Sequence, residues 1–353
     1  PSVFLAPVIG AFAVIEFSPY LQLPGTALAT GIVYYVAMSS IDIVGVVMSG
    51  WSSNNKYSLI GGLRGAAQMI SYELPLVLSL VGVVMLTSVL SNTGIGTIAT
   101  QQIIAYQSSS LWPGKGIPFW DFVFQGFTPW AWFFLVQPLL IIIYYICGLA
   151  ETNRSPFDLP EAESELVAGY LTEYSGMRWA MFYLGEYGNM LIVSAIAVTL
   201  FLGGWSGPGV GFLTAPGMAF GWQLLGNLLG IAYFTTKVYL LCFVFIWVRS
   251  TLPRLRADQL MQFAWLILIP VTLGNIVITA LIFLVLNSFG LSNLFFLIVL
   301  GIVNFVMLGG FIFIVSRATV ATTRHAQAPA ILAQRRAEAA QLPERAGVAG
   351  NQK

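Results

Sequence analysis

Seven of the fourteen acidic residues in this 353-residue chain fall between Glu151 and Glu186. Carboxylates gathered in this way suit proton exchange, because they take up and release protons readily and respond to nearby charge. The run AETNRSPFDLPEAESELVAGYLTEYSGMRWAMFYLGEY carries Glu151, Asp158, Glu161, Glu163, Glu165, Glu173 and Glu186. Part of it has a local structural explanation. Asp158-Leu159-Pro160-Glu161 reads as a capping box with proline in the first turn, and Glu163 then favours the positive end of a helix. The cluster as a whole goes further than capping requires. Glu161 and Glu165 are four apart on one helical face and repel each other unless one is protonated or a cation such as Arg154 intervenes.

The elements that must position these acids are membrane helices. Hydrophobic residues make up 58% of the chain and charged residues only 8%, against about 25% charge in soluble domains, which excludes a soluble globular enzyme. The apolar residues come in runs long enough to cross a hydrocarbon core of about 30 Å as helices. The expected fold is an all-α, polytopic helix bundle. Its eight transmembrane helices are predicted at 3–17, 27–48, 68–90, 129–150, 179–202, 222–248, 264–286 and 294–315. Thirteen basic residues, from Lys56 and Arg64 through Arg154, Arg178, Arg249 and Arg256 to the tail, fall on one side of this arrangement and only Lys115 on the other. That asymmetry predicts a cytoplasmic C-terminus. The bundle is expected over 1–316, with an acidic cytoplasmic loop at 151–177, a basic cytoplasmic loop at 249–263 and a polar cytoplasmic tail at 317–353. A start at Pro1, without methionine and directly on an apolar helix, leads us to expect that an upstream portion is missing.

Glu73 lies nine residues after Arg64 and Glu186 eight after Arg178, so both are predicted roughly 12 to 14 Å inside the bilayer. Ionised, each costs on the order of 3 kcal/mol there, comparable with the cost of holding a carboxyl protonated at neutral pH. A group so balanced is poised between protonation states, as a proton relay requires; the structural alternative is a permanently protonated Glu bonded to a neighbouring helix. Lys237, twelve residues before Arg249, is a candidate counter-ion for the two. Asp42 is similarly intramembrane but ranks lower, because no charge lies near it in sequence, and Glu16 is expected at the interface beside Ser18-Pro19. The two cysteines, Cys147 and Cys242, lie in apolar runs and the single histidine, His325, in the tail. No Cys/His cluster suited to haem, iron-sulfur or zinc is present.

The segments KYSLIGGLRGAAQMISYELPL, AETNRSPFDLPEAESELVAGYLTEYSGMRWAMFYLGEY, FLGGW and KVYLLCFVFIWVRSTLPRLRADQLM strongly resemble the H-subunit family of NADH:quinone oxidoreductase (respiratory complex I), equivalent to subunit 1 of mitochondrial complex I. The resemblance runs from Phe4 to about Val315. It implies a membrane-arm subunit that docks the peripheral redox arm, helps form the quinone cavity and carries buried glutamates from that cavity into the membrane arm. It puts Arg154, Phe157, Asp158, Glu161, Glu163 and Glu165 on the loop bordering the quinone cavity. Glu73, Glu151 and Glu186 fall in the proton path, with Glu173 between the two groups. Arg254, Arg256, Asp258 and Gln259 match the basic loop facing the peripheral arm, although Ala257 stands where the family often has an aromatic residue. Beyond Leu286 the chain adds a span and a tail that minimal members lack. At its start it lacks the first helix, which would bring the count to nine, and the amphipathic stretch that follows it.

The resemblance further implies quinone as substrate and no cofactor bound by this chain, with NADH, FMN and iron-sulfur clusters in partner subunits. The expected partners are the peripheral-arm quinone-site subunits, the other membrane-arm subunits and membrane lipid, with no nucleic acid. The expected location is the cell inner membrane, multi-pass, in a translocase inactive without its partners. Two other readings stay open at this point: the homologous membrane subunit of a membrane-bound hydrogenase or other-donor dehydrogenase, and a stand-alone ion-coupled secondary transporter. Transporters often carry inverted repeats, and none is found here.

Overall fold

A computed structural model describes residues 6–11, 14–16, 30–91, 96–108, 132–154, 156–158, 169–214, 220–252, 255–289 and 295–317. The chain divides into two compact units, Pro1–Phe305 and Val306–Lys353. Glu161, Glu163, Glu165, Arg254 and His325 lie outside the described residues.

The helices, in chain order, are α1 (Ala6–Ala11), α2 (Gly31–Ser39), α3 (Ile41–Ser52), α4 (Lys56–Leu90), α5 (Thr100–Ser108), α6 (Phe133–Val136), α7 (Pro138–Glu151), α8 (Met177–Phe201), α9 (Val210–Leu213), α10 (Phe220–Thr251), α11 (Ala257–Gln262), α12 (Ile269–Ser288) and α13 (Phe295–Arg317). A π-helical segment, Phe263–Leu268, joins α11 to α12, and no strand occurs among the described residues. Among these residues six stretches are long and apolar enough to cross a membrane: Gly31–Ser52, Lys56–Ser88, Met177–Phe201, Phe220–Thr251, Ala257–Leu286 and Phe295–Arg317. The all-α, multi-pass architecture expected from composition is therefore present. The six correspond to six of the eight predicted spans. The predicted fourth span is broken at Gln137, whose φ of −131° and ψ of 64° leave the helix just before Pro138; proline then opens α7, where its missing N–H costs nothing. Within the predicted first span the described helix is α1 alone.

α4 is the central helix of the first unit. It packs against α3, α7, α12 and the short 3₁₀ turn Gly169–Leu171. It begins earlier than its apolar run, at Lys56, because the Asn55 side chain accepts a bond from the Tyr57 N–H and caps it,. Its approach to its neighbours depends on glycine. A Cβ at Gly61 would come within 2.9 Å of the Gly169 Cα, and one at Gly62 within 3.3 Å of the Gly50 Cα. The Ser58 hydroxyl donates to the Gly169 carbonyl at 3.0 Å, so the end of the acidic loop is stitched to α4. α10 and α12 leave Leu240, Phe243, Trp247, Leu281 and Leu284 exposed; helices apolar all round are suited to lipid rather than water. In the second unit, Arg317 lies over the Phe313 ring at 4.9 Å.

Candidate functional site

The stretch Gln68–Glu73 of α4 organises the site. Gln68 is fully buried, and its Nε2 donates to the carbonyls of Ala150 at 2.8 Å and Phe157 at 2.6 Å. Tyr72, also fully buried, donates its hydroxyl to the Leu260 carbonyl at 2.9 Å, and its ring meets Phe157 edge-on at 5.5 Å. Trp265, in the π-helical segment, donates its indole N–H to the Ser71 hydroxyl at 3.3 Å. The Leu255 N–H donates to the Pro156 carbonyl at 3.3 Å. The turn after α7 and the segment leading into α11 are thus held together against one helix.

Next to these ties lies a small cavity lined by Ser39, Asp42, Ile43, Met69, Glu73 and Glu151, with room for about one water. Three carboxylates from three helices face it. Glu73, on α4, accepts a hydrogen bond from the Ser40 hydroxyl at the junction of α2 and α3. Asp42, on α3, accepts from the Asn189 amide of α8 at 3.4 Å. Glu151, the last residue of α7, is within electrostatic reach of both Glu73 and Asp42. The Tyr35 and Tyr144 hydroxyls lie beside one another, close enough to feel Glu151. Sequence separation is why Asp42 ranks low along the chain: the side chains near it come from α4, α7 and α8, far from it in sequence.

Glu186 stands on α8 and is 3% exposed. Its Oε2 is 3.2 Å from Arg154 Nη2, and its Oε1 accepts from the Tyr170 hydroxyl at 3.3 Å. Arg154 is itself buried and lies over the Tyr187 ring at 4.3 Å. Asn153, just before it, adopts a left-handed φ of 49°, which asparagine tolerates better than most residues; the reversal starts the turn that brings Arg154 back onto α8. The ionic partner shown for Arg154 is Glu186, within the protein. Beneath the pair, Tyr170 and Phe182 pack with Val46, Met69 and Leu171 as an apolar layer.

Not every candidate joins this cluster. Glu173 is exposed and meets the Asn55 side chain at 3.5 Å, so it does not bridge the buried groups. Lys237 is placed elsewhere: its ammonium donates to the carbonyls of Leu202, Gly204 and Ser206 at 2.8, 3.0 and 2.8 Å and lies 4.4 Å over the Trp132 ring. It is therefore the cap of the turn after α8, not a counter-ion to Glu73 or Glu186. That turn has φ of 71° at Gly203 and 56° at Gly204, backbone that favours glycine,. Lys237→Met is expected to lower stability by about 2 to 5 kcal/mol, since three charge-assisted hydrogen bonds disappear and leave carbonyls unpaired. Thermal melts in detergent check this; an unaltered melting temperature would mean the turn does not depend on the ammonium. Glu16 is buried within the protein. Arg256 and Asp258 are exposed at the start of α11, Gln259 is half-buried, and Asp158 is half-buried beyond Phe157.

The fold and the site together define an all-α, multi-pass membrane protein with carboxylates and hydroxyls clustered inside its helix bundle. The profile of the family described as NADH dehydrogenase matches residues 1–280. The NADH-quinone oxidoreductase H-subunit of Protochlamydia amoebophila is 43% identical over 287 residues, covering 79% of this chain and 74% of that protein. An H-subunit of the Geobacter sulfurreducens enzyme is 41% identical over 300 residues, covering 80% and 73%, and the H-subunit of Bacillus mycoides is 43% identical over 282 residues, covering 80% and 71%. The chain belongs to this family, whose members are subunits of an oxidoreductase complex.

Proposed function

We propose that the chain is the membrane-arm subunit of a proton-translocating NADH:quinone oxidoreductase, forming part of the quinone cavity and passing the effect of quinone reduction to buried carboxylates. The observation that carries this reading is the meeting of Asp42, Glu73 and Glu151 around one cavity, next to the buried Arg154–Glu186 pair, in a chain of this family. A headgroup with two carbonyls needs polar partners at one end and an apolar path for its tail. The turn carrying Arg154, Phe157 and Asp158, with Glu161, Glu163 and Glu165 beyond it, is the assigned polar border. Reduction takes up protons and alters the local charge. That change is relayed through Arg154–Glu186 to Glu151, Glu73 and Asp42, where like charges in a confined space make proton occupancy interdependent. The electron-carrying NADH, FMN and iron-sulfur chemistry belongs, in this reading, to partner subunits of the peripheral arm. Arg254, Arg256, Asp258 and Gln259 are assigned to that contact, supported by the exposure of Arg256 and Asp258. The test is neutralisation of the cavity carboxylates in the assembled complex, with NADH-driven proton uptake into liposomes as the readout.

The proposed location is the inner membrane, with the acidic loop, the basic loop and the C-terminal tail on the cytoplasmic side. The bond between Leu255 and Pro156 supports a common side for the two loops. An introduced Gln352→Cys should be labelled by a membrane-impermeant reagent in inside-out vesicles and not in intact cells. Cys147 and Cys242 are both buried, so the new thiol dominates the signal, and labelling in intact cells would reverse the orientation.

A further inference from the structure

We infer that Gln68 is a positioning residue, the clamp that holds the turn from Ala150 to Phe157 in register with the cavity carboxylates. This rests on the function proposed above and adds to it a group that is not itself an acid or base. All three atoms around its Nε2 are acceptors: the carbonyl oxygens of Ala150 and Phe157 and, at 3.5 Å, the Asn153 Oδ1. The amide must therefore present its nitrogen to them, and its two hydrogens match the two close carbonyls. The Ala150 carbonyl lies in the last turn of α7, where it accepts from the Asn153 N–H at 3.3 Å as well as from Gln68. The Phe157 carbonyl lies at the far side of the turn. One side chain thus closes the turn that contains Glu151, Asn153, Arg154 and Phe157.

The other end of this clamp is α4 itself. Glu73 is five residues further along the same helix, roughly 7.5 Å by helix rise, and lines the cavity with Glu151. Gln68 therefore sets where Glu151 stands relative to Glu73, and it sets the position from which Arg154 reaches Glu186. Movement of the Phe157 end of the turn is passed to its Glu151 end through one buried amide. Hydrogen bonds in a buried site with few alternative partners give this rigidity, and small displacements of working groups have large kinetic effects.

The experiment uses the assembled complex in its membrane with Gln68→Leu, Gln68→Glu and Arg154→Met. Turnover per assembled complex is measured against quinone concentration and from pH 6 to pH 8. Gln68→Leu keeps the size and removes both donors, and we expect kcat for quinone reduction to fall roughly tenfold or more with a smaller change in KM. Gln68→Glu can donate one hydrogen bond when protonated and repels both carbonyls when ionised. Its activity relative to the native complex should fall as the pH rises, a profile that a mere packing defect does not produce. Native kcat in Gln68→Leu together with a native pH profile in Gln68→Glu would overturn the inference. Should Gln68→Leu fail to assemble, the pH profile of Gln68→Glu decides alone. If Arg154→Met reduces turnover while both Gln68 variants are normal, the clamp is wrong and the proposed function stands. Normal turnover in Arg154→Met would overturn the proposed function, and the clamp with it.

Discussion

Glu73→Gln combined with Glu151→Gln is expected to abolish NADH-driven proton transport by the reconstituted complex, with each single change giving a partial defect. Both carboxylates face one small cavity with Asp42, so the remaining acids and a water can bypass the loss of one. With two of the three replaced by amides, the path loses most of its exchangeable protons, and a positioned acid or base is worth about 10²- to 10⁴-fold. Glutamine preserves most of the size and hydrogen bonding, including the acceptor for the Ser40 hydroxyl, so assembly should survive. Acidification of liposomes and quinone reduction are to be measured on the same preparation, with Glu338→Gln in the tail as the unaffected control. Undiminished transport in the double variant would remove the relay and leave the cluster a structural one.

The second large effect concerns the buried ion pair. Arg154→Met leaves Glu186 buried, with the Tyr170 hydroxyl as a remaining hydrogen-bond partner. Breaking such a pair from one side costs about 3 to 5 kcal/mol, because a charge is left without its counter-charge in a medium that solvates it poorly. The cation–π contact of Arg154 with Tyr187 disappears as well, adding about 0.5 to 2 kcal/mol. Arg154→Met with Glu186→Gln removes both charges and should recover much of the lost stability, the sign of direct coupling. The yield of assembled complex and its rate of thermal inactivation are the measurements. If the double variant is no more stable than Arg154→Met alone, the two side chains do not act as a pair.

What could be read along the chain was local. Apolar runs of sufficient length become helices because a bilayer leaves no other way to satisfy the backbone, and Pro138 and Asn55 mark a break and a start because their effects act within a few residues. The placing of Glu73 and Glu186 within long apolar helices and the crowding of acids after Glu151 followed from the same one-dimensional information. Their partners did not follow from it. Asp42 is isolated in sequence, yet it faces Glu151 across the bundle. Arg154, near Glu161 and Glu165 in sequence, reaches Glu186, thirty-two residues away. Lys237, which could be a counter-ion by composition, caps the carbonyls after α8, and Gln68 carried no signal at all. Hydropathy and helical period determine that a helix exists and how long it is, but they leave its rotation and its neighbours free. Those are decided by tertiary packing, through close approaches such as Gly62 on Gly50 and Gly61 on Gly169. Pairing between buried polar groups depends on differences of an ångström in that packing, which only the folded bundle determines.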